Sequence, residues 1–245
     1  MREPQELMDA VRAALEKCPE VNIHDSSIDL TVQDGVLIMT GEVPDIIARR
    51  VAHLAAVQAL GADRVQDELR VTPAVRHSDA EIARFLERLL MQESAFRDYQ
   101  NRVIAGASVQ QAGTGNAPRD QAIRASVRDA VVTLEGAVGS LTHRRLAEVL
   151  AWWTPGTCGV RNFLHVTPDE LDTDAEVTDA LRIILEKRPS LDAAAIEIRV
   201  KDRRVTLDGV VASEAQRRMA EESAWYVLGV HGVNNRLQVR LPQAP

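Results

Sequence analysis

The feature that most constrains this chain is a threefold repeat. Asp34 to Val71 (DGVLIMTGEVPDIIARRVAHLAAVQALGADRVQDELRV), Asp129 to Val166 and Asp202 to Val239 align without a gap. All three share a leading Asp, a Gly (Gly41, Gly136, Gly209) with a Val two residues later, and an Arg-Arg pair. They also share two Ala four residues apart, a second Gly (Gly61, Gly156, Gly229) and a closing Leu-x-Val. An ungapped match of this length makes the repeat the unit of folding, and function must be sought in what is repeated.

In a chain of 245 residues, the repeat spacing predicts three small domains, at 1–73, 74–168 and 169–245. Units of this size bury little core alone, so they are expected to lean on one another. Net charge is uneven, about −6, about +2 and about −3 in the three domains. That balance argues against a generic nucleic-acid binder, which normally carries a basic stripe. No stretch has the composition of a secretory leader or the eighteen or so apolar residues of a membrane span, which predicts a cytoplasmic protein, at most peripheral to the inner membrane. Cys18 and Cys158 occupy non-equivalent repeat positions and read as free intracellular thiols.

Within the first copy, Leu7, Val11, Ala14 and Leu15 fall at helical spacing ahead of Pro19. Alternating runs flank Asp34-Gly35, the signature of a β-hairpin. Helical spacing returns from Pro44 to Leu60, Gly61 is suited to stop the helix, and Val65 to Thr72 forms a last strand. The order is α-β-β-α-β, and the third copy repeats it. The second copy carries extra residues at about 96–121, including AGTGNAP, which reads as a flexible excursion whose early part prolongs the preceding helix or leaves it.

These hairpins and the gapless Gly-x-Val, Arg-Arg, Gly, Leu-x-Val pattern resemble three tandem BON (bacterial OsmY and nodulation) domains. The resemblance implies an α+β fold, two helices on one face of a three-stranded mixed sheet. It also implies a noncatalytic binding role, commonly toward phospholipid or the cell envelope, and the expectation for this chain is peripheral association with anionic phospholipid or ligand binding between domains. Some cytoplasmic proteins with this domain sense potassium, a cation that backbone carbonyls can hold. A stress-response or protein-interaction scaffold that self-associates is a third reading.

No catalytic constellation is found. The six histidines do not recur at matching positions or pair with cysteine at metal-ligand spacing, and no phosphate-cradling loop or nucleophile elbow is present. No enzyme activity, cofactor or metal is expected. Asp34, Asp129 and Asp202 are explained by turn chemistry. Gly41, Gly136 and Gly209 read either as positive-φ or close helix–strand positions or as exposed amides for a ligand.

The repeated arginines offer the candidate site. On a helical projection with the alanines facing the sheet, Arg50, Arg145 and Arg218 point outward, beside Val57, Trp152 and Trp225 seven residues on. Arg145 with Trp152, and Arg218 with Trp225, form either packing between units or an interfacial anchor, with rings at headgroup depth and guanidinium on phosphate.

Overall fold

The computed structural model describes residues 4–21, 27–106 and 121–240. It divides into two compact bodies, Met1–Ala74 and Val75–Pro245. Among the described residues no helix is long and apolar enough to cross a membrane.

The first body runs α1 (Pro4–Leu15), β1 (Ser27–Gln33), β2 (Val36–Val43), α2 (Ile46–Leu60) and β3 (Val65–Val71). β2 is central, antiparallel to β1 and parallel to β3. Val11 and Leu15 of α1, Leu37 and Met39 of β2, Leu69 of β3 and the alanines Ala48, Ala52 and Ala56 of α2 form one core. Alanine on that face of α2 brings the helix close to the sheet, while Asp45 caps its first turn by accepting from the Ala48 amide at 2.9 Å.

The second body holds two versions of this plan. One comprises α3 (Asp79–Gln92), β4 (Gln100–Ala105), β5 (Ala122–Arg128), β6 (Val131–Val138), α4 (Leu141–Trp153) and β7 (Gly159–Val166). The other comprises α5 (Asp174–Glu186), β8 (Ile196–Lys201), β9 (Arg204–Val211), α6 (Glu214–Tyr226), β10 (Gly232–Asn235) and β11 (Gln238–Val239). The α+β class and the mixed sheets agree with the sequence expectation.

Two departures are informative. The early part of the 96–121 segment does not prolong α3: a 3-10 turn at Ser94–Phe96 ends it, with Glu93 accepting from the Ala95 amide. The chain then forms β4, a fourth strand parallel to β5, giving the order β4-β5-β6-β7. AGTGNAP lies outside the described residues. In addition, the last strand of the third plan is split into β10 and β11, both parallel to β9.

The three hairpins reach the same shape by different means. Asp34-Gly35 takes positive φ at both residues, 52° and 80°, as a two-residue hairpin requires. In the other copies a residue other than glycine stands at the second position, Ala130 at 59° and Arg203 at 63°. A carboxylate at the start of the first helix holds both turns there. Asp79 accepts from the amides of Asp129 and Ala130 at 3.0 and 2.8 Å, and Asp174 from those of Asp202 and Arg203 at 2.7 and 3.0 Å. At the equivalent place the first copy has Pro4, and glycine makes the clamp unnecessary.

Candidate functional site

The repeated glycines all adopt positive φ. Gly41, Gly136 and Gly209 have φ of 117°, 126° and 135°. A Cβ there would lie 1.7, 2.0 and 2.1 Å from the carbonyl oxygens of Ser27, Ala122 and Ala195, so the close neighbour is the antiparallel strand or the residue leading into it, rather than a helix. Gly61, Gly156 and Gly229 adopt φ of 93°, 90° and 92° after the second helix, and the Gly61 amide closes α2 on the Val57 carbonyl at 2.7 Å.

The Arg/Trp columns lie on the outer side of their helices but differ in what covers them. Arg145 is 2% exposed and Trp152 and Trp225 are each 6% exposed, whereas Arg218 lies open on α6 in an ion pair with Glu222 at 3.0 Å. Arg50 is partly buried on α2. A projection of one isolated helix omits the next layer. Here α4 is covered by α5 and α6, so its outer face becomes an interior.

Arg145 is the pin of that junction. Its Nε donates to the Leu228 carbonyl at 2.9 Å and its guanidinium meets Asp172 at 2.5 Å. Arg203 reaches the same carboxylate at 2.6 Å and the Asp172 carbonyl at 2.5 Å. Burial alone would raise the Asp172 carboxyl, but hydrogen bonds from Arg203 and Arg145 outweigh it and hold its pKa below the ordinary carboxylate value. Trp152 packs against Tyr226 with ring centroids 6.2 Å apart, and Arg188 stacks on Trp153 at 3.8 Å. Lys187 pairs with the buried Glu93 at 2.8 Å, and Glu170 accepts from the Leu141 amide at 2.7 Å. The aromatic columns therefore join two domains, with Arg188 on Trp153 rather than Arg145 on Trp152 supplying the stacked cation.

Because helices meet helices at this junction, the sheet faces opposite the helices point away from it. Strand register shows what each face carries. On the second domain's face Arg102, Arg124, Glu135 and Phe163 form one row across four strands. Gln100, Ala122, Ala137 and His165 form the adjacent row. Arg128 and Arg161 extend the charge, and Phe163 is 57% exposed. A groove of about 400 Å³ runs over the small residues Ala122, Gly136 and Ala137, between Arg124, Phe163 and His165.

The other two faces differ. In the third domain Arg199 pairs with Glu197 and with Asp208, and Arg236 stands where the second domain has Phe163. In the first, the row matching Arg124, Glu135 and Phe163 reads Asp29, Thr40 and Glu68. Sequence reasoning missed the basic face because it followed what was repeated, and the row of Arg102, Arg124 and Phe163 is peculiar to the second copy. Alternation within β5 and β7 was its signal.

Comparison with known proteins bears on this arrangement. The BON domain family model matches residues 5–73, 107–168 and 173–240. The chain belongs to the BON domain family. No curated protein matches it. Among solved structures, it is similar to the C-terminal domain of CdsD, a structural protein of the type III secretion system of Chlamydia trachomatis. Identity is 15%, over 98% of this chain and 100% of that one, with a TM-score of 0.25. The periplasmic domain of PrgH, an inner-membrane protein of the S. typhimurium type III secretion system, is 10% identical over 89% of this chain and 95% of that one, also at 0.25. At that TM-score neither likeness carries structural or functional weight. The third BON match starts at residue 173, just after Asp172, so the Arg145 junction joins two BON domains.

Proposed function

We propose that this BON protein is a noncatalytic binding protein that associates peripherally with anionic phospholipid through the open sheet face of its second BON domain. The observation that carries the reading is the row Arg102, Arg124, Glu135 and exposed Phe163, in which Glu135, between Arg124 and Phe163, is the one carboxylate in the register rows described. Guanidinium groups suit phosphate oxygens, and an aromatic ring suits the boundary between headgroup and acyl chain.

The helix columns support the reading less. Arg145, Trp152 and Trp225 are buried, and the groups at the junction of the second and third domains already bind one another, which also weakens the case for a ligand between these two domains. Arg218 remains accessible but is paired with Glu222.

Each basic residue near an anionic surface contributes about 1 kcal/mol, and the chain's net charge of −7 opposes approach by other faces. Binding should therefore be weak, orientation-specific and salt-sensitive. Flotation with neutral and with anionic vesicles at low and moderate salt is the test. Wild type should float only with anionic vesicles at low salt, and an Arg102→Glu/Arg124→Glu variant should not float. Loss of flotation in Arg218→Glu instead would return the site to the second helix, and no flotation of wild type would remove the phospholipid reading.

A further inference from the structure

The first BON domain exposes an acidic sheet face and the second a basic one, while on the third Arg199, Lys201, Arg204 and Arg236 are interleaved with Glu197 and Asp208, which already pair with Arg199 and Arg236. On the second domain the face carries Arg102, Arg124, Arg128 and Arg161, with His165 and Phe163, against Glu135. On the first domain the equivalent face carries Asp29, Glu42 and Glu68 against Arg70, around the apolar side chains of Val36 and Ile38. The substitutions fall in register: Asp29 stands at the position of Arg124, and Glu68 at that of Phe163. A repeat serving one purpose in every copy would not need opposite signs at the same positions.

We infer that the acidic sheet face of the first domain docks on the basic sheet face of the second domain of another copy of this chain. Two twisted sheets pack face to face with their strands within about 30° of each other, so two open faces can meet as the halves of a sandwich. Phe163 and the small floor of Ala122 and Ala137 supply an apolar centre with relief, Val36 and Ile38 supply apolar groups to fill it, and the charges form the rim. Rim charges set partner choice and encounter rate more than affinity, so the association is weak and falls with salt. The two faces belong to different domains of each chain, so the contact is head-to-tail and extends from copy to copy unless rotation closes it.

The inference shares its basic face with the phospholipid reading and rests only on that face being available. Anionic vesicles and a second copy would compete for it. The experiment therefore contains no lipid, and vesicle flotation can fail while it succeeds.

Sedimentation velocity is run on the full chain over a range of concentrations at low and high salt. Two charge-reversed variants are included: Arg102→Glu/Arg124→Glu, acidic on both faces, and Asp29→Arg/Glu42→Arg, basic on both. Wild type should associate reversibly at low salt and dissociate at high salt. Each variant alone should associate at least about tenfold more weakly. An equimolar mixture of the two should recover association, because the basic face of one now meets the acidic face of the other. Circular dichroism shows whether each variant folds, and recovery in the mixture itself excludes misfolding. A wild type that stays monomeric at all concentrations, variants that associate like wild type, or a mixture that fails to recover would each overturn the inference.

Discussion

Arg145 and Arg218 occupy the same position of the same repeat, yet one is 2% exposed and pins two domains while the other stands in solvent beside Glu222. The residues around them explain the difference. α4 presents Leu141, Val149 and Trp152 where α6 presents Glu214, Glu222 and Trp225. The apolar version demands a covering layer, whereas the charged version is satisfied by solvent and by ion pairs along its own helix. Equivalent position thus specifies where a side chain sits in its own domain, and the neighbouring domain specifies its environment.

That comparison can be broken at several points. Trp152→Ala should have the largest effect, about 3–5 kcal/mol in chemical denaturation, because it removes a buried aromatic and opens the junction to Tyr226. Arg145→Ala should cost about 2–3 kcal/mol by leaving the Leu228 carbonyl and one side of Asp172 without their donor, whereas Arg218→Ala should change stability by less than about 0.5 kcal/mol. Equal losses for the two arginines would refute the covering-layer account.

The hairpin clamps sharpen the comparison on a smaller scale. Asp79→Ala and Asp174→Ala should each cost about 1–2 kcal/mol, since each leaves two turn amides without their carboxylate. Ala130→Gly in the Asp79→Ala background should recover part of that loss, because it supplies the residue that makes the first copy independent of a clamp. Thermal melts of the single and double variants would show whether it does.

The smallest expected effect is a pH dependence centred on His143, half-buried and hydrogen-bonded at 2.8 Å to Tyr99. Burial lowers its pKa, partly offset by Glu170 and Glu93, so folding favours the neutral ring. The unfolded chain takes up a proton first, near the ordinary histidine value of about 6.5, and stability falls as pH drops through that value toward the lower folded pKa. His143→Gln should flatten this slope in melts between about pH 7.5 and 5.5. Asp172, with its depressed pKa, adds stability that is lost only below the ordinary carboxylate range.

Much of the fold was legible in the sequence. Asp-Gly, the alternating strands and the alanine face of the second helix are local signals, and local physics honours them. β4 was not legible, because Gln100–Ala105 is a short edge strand without a counterpart in the other copies to reveal it. The functional faces were harder. Helical projection put Arg145 and Trp152 on the outer side of α4 and left packing between units and a membrane anchor both open, because nothing in α4 itself names the layer that covers it. Conversely, Arg124 and Phe163 lie on strands two apart and come into one row, on either side of Glu135, only through the β5-β6-β7 register.

The most direct test of the account is to place a reporter on the sheet face and compare it with the native tryptophans. Trp152, Trp153 and Trp225 serve as internal controls, two of them buried and the third stacked under Arg188. A Phe163→Trp variant is titrated with anionic vesicles, with and without a brominated-lipid quencher, alongside wild type. The account predicts a blue shift and quenching in the variant and a silent wild type. Quenching of the wild-type tryptophans to the same extent would contradict it and put the second helices, rather than the basic sheet face, against the membrane.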